Sequence, residues 1–167
     1  MTKVPALCAL LLVLSAPTAL AESEQPLLIT IPRMTADAAL QIAGASLHHC
    51  RQQGVQIAVT VVDRDGAPVV ILRDVLAPAL TLKISQGKAY TAASFNTPTS
   101  QLVGRFSDDS LATVGNLVTT AGGVPITAAG AILGGVGVSG APSGDTDEAC
   151  AQAGVDAVGV DLEMASP

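Results

Sequence analysis

His48 and His49 are the only two histidines in the 167-residue chain. Imidazole ligates transition metals and exchanges protons near neutral pH. The pair falls near the end of a helical stretch, where the helix dipole favours the charged ring. Leu47 lies at the centre of that helix's apolar stripe. His48 therefore falls at the stripe's edge, and His49 points away, over Ile42, on a half-apolar patch that a neighbouring subunit could cover. The plainer reading is two solvated helix-end side chains. Lys88 stands in an alanine-rich helical stretch, Lys88-Ala89-Tyr90-Thr91-Ala92-Ala93. Buried there, its amine would serve as a base or nucleophile. The plainer reading is a lysine paired with a carboxylate such as Asp63, or one that snorkels to water. Arg73 is an anion clamp by the geometry of its guanidinium, with Asp74 beside it as a competing partner. Thr99 and Ser139 are hydroxyls at element ends, where capping is the default role. Nothing in the sequence brings either histidine to Ser139, so a Ser-His-Asp triad is not expected.

These side chains are held by an alternating set of helices and hairpins. Thr35 is an N-cap, and Ala36 to Gln53 reads as an amphipathic helix closed by Gly54. Gln56 to Val62 is an apolar strand, Asp63-Arg64-Asp65-Gly66 a hairpin turn, and Pro68 to Leu72 the return strand. A helix follows from Leu80 to Phe95. Gly87 weakens its interior by about 1 kcal/mol, which implies a packing reason. Thr99 caps a short helix reaching Phe106, and residues 108–120 form a looser stretch. Gly122 to Ile126 opens a second hairpin, turned at Ala128-Ala129-Gly130, with Ala131 to Val138 returning. The last helix runs from Asp147 to Val158, and 159–167 reads as a frayed tail. This order predicts an α+β fold, an antiparallel sheet of two hairpins with helices packed on it.

Gly134 to Gly154 is the most unusual stretch. Glycine inside a strand marks the close approach of another backbone or a ligand. Gly135-Val136-Gly137-Val138-Ser139-Gly140 matches the dinucleotide-binding pattern, with Asp161 about twenty residues on. That fingerprint belongs after the first strand of a βαβ unit, opening directly into a helix. Here it is the second arm of a hairpin, followed by Pro142, so nucleotide binding is not expected. The backbone N–H groups from Gly144 to Asp147 could hold a carboxylate, although Asp145, Asp147 and Glu148 already bring negative charge there.

Lys3, the apolar run Val4 to Leu14 and Ala19-Leu20-Ala21 form a signal peptide, with Glu22 as the first mature residue. The run is too short to span a membrane, and export to the periplasm or outside the cell is expected. Residues 22–34 are an extended lead-in, and 35–158 the domain proper. The net charge of −6 argues against nucleic acid and anionic membranes. Without tryptophan, and with one tyrosine and two phenylalanines, the chain lacks platforms for stacking bases. A core of Ala, Val, Leu and Ile is thin, and such domains often bury further surface by assembling. Of the three cysteines, Cys8 lies in the leader; Cys50 and Cys150 remain. In an oxidising compartment they are disulfide candidates, with two buried thiols as the alternative. No zinc-ligand spacing and no C-x-x-C-H motif for covalent haem is present.

Five segments taken together resemble the GlcG/HbpS family of small haem-associated proteins. They are Asp63 to Gly66; Arg73-Asp74; Lys88-Ala89-Tyr90-Thr91-Ala92 with Pro98-Thr99; Gly122-Gly123-Val124-Pro125-Ile126; and Gly137 to Ala141 leading to Asp147-Glu148 and Ala153-Gly154. The family also includes the C-terminal domain of some corrinoid adenosyltransferases. The resemblance implies a profilin-like sandwich, a ring-shaped homo-oligomer and haem as ligand. It supplies no shared iron ligand, so His48 and His49 are the local candidates, with Arg73, Lys88 and Thr99 as further contacts. The leading expectation is an exported, oligomeric haem-binding or haem-sensing accessory protein without turnover. One alternative is a small-metabolite enzyme with Lys88 as base and an anion site at Arg73 or at the last helix's N-terminus. Another is a structural ring subunit for a partner enzyme.

Overall fold

A computed structural model describes residues 26–106 and 114–166. The expected signal peptide, Cys8 within it, and residues 107–113 lie outside the described residues. Residues 26–30 carry neither helix nor strand and belong to a unit separate from the compact one that begins at Ile31.

In chain order the elements are α1 (Ala36–Gln52), β1 (Ala58–Asp63), β2 (Pro68–Arg73) and α2 (Leu80–Phe95). A single 3₁₀ turn, Thr99–Leu102, follows, and then β3 (Gly123–Ala128), β4 (Ala131–Ser139) and α3 (Gly144–Ala165). The four strands form one antiparallel sheet ordered β2-β1-β4-β3. The two hairpins join where β1 meets β4, from Ala58 opposite Ser139 to Asp63 opposite Gly134. The fold is the expected α+β arrangement, three helices on an open antiparallel sheet, consistent with a profilin-like sandwich.

Local chemistry explains the boundaries. The Thr35 hydroxyl accepts from the Ala38 N–H at 3.2 Å, capping α1. Gly54 turns the chain at φ +74°. The Asp63 carboxylate accepts from the N–H groups of Asp65 and Ala67, both at 2.9 Å, closing the first hairpin turn. α3 differs from expectation at both ends. It begins at Gly144, because the Ser143 hydroxyl caps it by accepting from the Thr146 N–H. It continues to Ala165 rather than fraying after Val158, because Val158 is buried and Val155 and Leu162 pack on the same core at helical spacing. Gly87 has the packing reason its position implies. A Cβ there would lie 2.4 Å from the Val118 side chain, so the 114–118 loop rests directly on α2.

The two faces of the sheet are filled differently. Val59, Val61, Val136, Val138, Val124 and Ile126 form one core with Ile42, Ala43 and Leu47 of α1 and Ala151 and Val158 of α3. On the other face α2 lies nearly on the backbone of β4. Cβ atoms built at Gly135 and Gly137 would sit 2.5 Å from the Ala89 carbonyl oxygen and 2.1 Å from the Ser85 carbonyl oxygen. The neighbour that the strand's glycines make room for is thus a helix backbone. Cys50 and Cys150 are joined, with Cα atoms 5.6 Å apart, tying the end of α1 to the first turns of α3.

Candidate functional site

Lys88, Thr99 and the acidic start of α3 meet at one corner, where α2, the 3₁₀ turn and β3 converge. The Lys88 Nζ donates to Asp147 Oδ2 at 2.7 Å and to the Val138 carbonyl at 3.0 Å. Lys88 is 3% exposed and Asp147 4%. Asp147 Oδ1 accepts from the Ala141 N–H at 2.9 Å. Burial pushes the Asp147 carboxyl above its ordinary range, while the Lys88 ammonium and the Ala141 N–H pull it back. Glu148 turns the other way and accepts from the N–H groups of Ser100 and Gly122, both at 3.1 Å, and from the Ser100 hydroxyl. Thr99 Oγ1 accepts from the Gly123 N–H at 2.8 Å. The lysine needs a side-chain-free neighbour, since a Cβ on Gly122 would lie 2.5 Å from its Nζ.

This corner is closed. Lys88 has Asp147 rather than Asp63 as its partner, and Asp63 faces Arg33 instead, at 3.6 Å. The sequence reading missed Asp147 and Glu148 as inward-facing acceptors and took them as charge on the helix's open end. The available signal was Lys88 itself: a lysine among alanines requires a carboxylate.

Arg73 is also spent internally. It donates to the carbonyl of Ala77 and holds the loop after β2. The partner of Asp74 is Arg51, which sequence reasoning did not single out. Its Nε donates to Asp74 Oδ1 at 2.8 Å, and the Ile57 N–H completes the buried carboxylate at 3.3 Å. At the start of α3 the Ser143 hydroxyl accepts from the Thr146 N–H and the Ser143 carbonyl from the Asp147 N–H, so the helix caps part of its own first turn.

The histidines lie away from this corner, on the layer across the sheet. His48 is exposed, and its Nε2 is 2.9 Å from Gln52 Nε2, one turn on. His49 is half-buried, where the helical stripe pointed it outward, and Ile42 is fully buried in the core instead of forming an outer patch under it. The helix is rotated relative to the expected stripe because Ala39, Ile42, Ser46 and Cys50 all face inward. One turn before the histidines stand Gly44 and Ala45. A Cβ on Gly44 would meet nothing within 4 Å. Side chains lean toward a helix's N-terminus, so each imidazole overhangs a flat, small-residue surface.

Cavities open on the domain among the described residues. One, of about 300 Å³, lies between the start of α1 and the end of α3, over Met34, Ala38 and Leu162. Another, of about 400 Å³ and more polar, lies between α2 and the 114–118 loop, over Lys83, Gln86, Tyr90 and Asn116. His48, His49, Lys88 and Thr99 line neither. Among the described residues no group of three His, Cys, Asp or Glu side chains could hold a metal ion, and no helix is long and apolar enough to cross a membrane.

Residues 34–156 match the family described as "Haem degrading protein HbpS-like". The chain belongs to the HbpS-like family. Among solved structures, a double mutant of HbpS from Streptomyces reticuli is 38% identical, with a TM-score of 0.75 over 87% of this chain and 98% of that one. The Klebsiella pneumoniae protein ORFY is 26% identical, with a TM-score of 0.74 over 81% of this chain and 97% of that one. A PduOC:heme complex is 26% identical, with a TM-score of 0.69 over 75% of this chain and 95% of that one. No curated protein matches the chain. In this HbpS-like domain the glycine-rich strand and the Lys88 corner are the architectural segments. The outer side of α1 carries the imidazoles.

Proposed function

We propose that this protein is an exported, oligomeric haem-binding accessory protein, with His48 or His49 as the iron ligand. The observation that carries the reading is the pair of imidazoles on the solvent side of α1, each one turn from Gly44 or Ala45. The donor chemistry fits a haem iron, and the flat helix surface leaves room beside it for a planar macrocycle. Haem when bound would supply the redox-active iron. The chain's part is to present an imidazole beside the small residues Gly44 and Ala45, a surface that a second copy would close over. Family membership and the haem complex of a relative support haem as the ligand's chemical class.

Binding without turnover is the form of the reading that the side chains favour. Lys88 and Asp147 neutralise each other inside the protein, and Arg73 holds a loop carbonyl. Lys88 therefore lends no support to a metabolite enzyme. The joined Cys50 and Cys150 support an oxidising compartment, in keeping with the signal peptide.

Haem titration followed in the Soret band tests the proposal, with His48→Ala, His49→Ala and the double variant alongside. The expected result is saturable one-to-one binding that the double variant loses. Equal binding by the double variant removes the histidines from the site. Incubating the loaded protein with a reductant and dioxygen tests the second part. A persisting Soret band is expected, and its decay to an open-chain product would make the protein an enzyme.

A further inference from the structure

The two edges of the sheet are unequal. At the β3 edge, the Gly122 carbonyl accepts from the Val138 N–H at 2.8 Å and so faces β4. Alternation along the strand turns Gly123 and Pro125 outward. The outward N–H of Gly123 is taken by Thr99 Oγ1, and Pro125 has none. Those two positions are closed to a pairing strand. At the β2 edge, the Asp74 N–H donates to the Ile57 carbonyl at 2.9 Å and so faces β1. Alternation then turns Ile71 and Arg73 outward, and neither N–H meets an acceptor among the described residues. The edge is apolar as well as open: Ile71 is 45% exposed, and Val75 and Leu76, just beyond the strand, are exposed too.

The chain also carries a segment with the complementary deficiency. Leu27-Leu28-Ile29-Thr30-Ile31 is bracketed by Pro26 and Pro32. Leu27 is 100% exposed, Leu28 88% and Ile29 75%. Its backbone makes no hydrogen bond among the described residues, and its composition is that of a strand. Five residues between prolines match a six-residue edge strand. Laid out as a strand, the segment would put Leu27, Ile29 and Ile31 on one face and Leu28 and Thr30 on the other. Both sheet layers beside β2 would then be continued.

We propose that residues 27–31 of one copy add as a fifth strand to the β2 edge of a second copy. Assembly is thereby assigned to one edge of the sheet, with the lead-in as the arm that joins copies. The inference rests on the oligomeric part of the proposed function and goes beyond it by naming the surface.

Light scattering during gel filtration of wild type and Ile29→Pro tests it. Proline removes the central N–H of the arm and leaves the domain core untouched. The expected result is an oligomeric wild type and a variant that dissociates while keeping its circular dichroism. Differently tagged Ile29→Cys and Ile71→Cys proteins are then mixed and oxidised. A mixed dimer of the two tags is expected. An Ile29→Pro protein of wild-type mass, or the absence of a mixed Ile29→Cys–Ile71→Cys dimer, overturns the inference and leaves the haem reading standing. A monomeric wild type overturns both the inference and the oligomeric part of that reading, while the haem titration is judged separately.

Discussion

On one face of the sheet, Val136 and Val138 meet α1 and α3 through side chains. On the other, Gly135 and Gly137 of the same strand meet α2 backbone to backbone. A side-chain interface can shrink and leave a cavity, at a cost that depends on how far the surroundings relax. A backbone interface has nothing to give, because the contacting atoms are a carbonyl and an amide fixed in a helix. The face that looks least specified in composition is therefore the less forgiving one. It also carries buried polar groups of its own: Thr60 paired with Ser85 at 2.9 Å, Thr91 bonded to the 114–118 loop, and Lys88.

Substitutions along β4 break this comparison most sharply. Gly137→Val is expected to leave no folded protein, since even a Cβ would sit 2.1 Å from the Ser85 carbonyl oxygen. Val136→Ala, on the opposite face of the adjacent residue, is expected to fold and to lose about 2 kcal/mol. Soluble yield and urea denaturation read both, and a folded Gly137→Val of wild-type stability would falsify the close-packed account. The next largest effect belongs to the aliphatic face. Cys50→Ser/Cys150→Ser releases a loop of 100 residues and is expected to cost about 4–5 kcal/mol. An unchanged urea midpoint would show that α1 and α3 hold together without the bond.

Lys88→Met, on the polar face, is expected to cost about 3–5 kcal/mol by leaving Asp147 buried and unpaired. Lys88→Met/Asp147→Leu should recover most of that loss, because the desolvation cost of both charges disappears. A double variant as unstable as the single one would mean that the pair does more than neutralise itself. The smallest effect is a pH dependence. Burial holds the folded Asp147 carboxyl above its unfolded value, so the native state takes up this proton first. Between the two values, stability from this group rises as pH falls and is lost as pH rises. Denaturation of wild type and Asp147→Asn across the acidic range should show wild type gaining relative to the variant. A wild type that instead loses ground would mean that Lys88 outweighs burial.

Much of this was legible in the chain. Thr35, Gly54 and the Asp63–Gly66 turn act locally, and local rules placed them. The five segments carried the family, and strand glycines implied a close neighbour without saying which. What was not legible is long-range. Arg51 reaches Asp74 over 23 residues and Lys88 reaches Asp147 over 59, and no local period encodes such a pairing. The faces of α1 were misjudged by about one position, because Ala and Ser positions turned inward as readily as Leu47. A helix built from small residues has little hydrophobic contrast from which to read its orientation. The extra turns of α3 were hidden for a related reason: Val158 and Leu162 stand among acidic and small residues.

The bond between Cys50 and Cys150 also bears on how the protein matures. All four strands lie between the two thiols, so Cys50, synthesised first, waits for the last helix before it has its partner. Cys50 and Cys150 can join in one way only, whereas a chain that keeps Cys8 carries a third thiol and, with it, the possibility of a wrong bond.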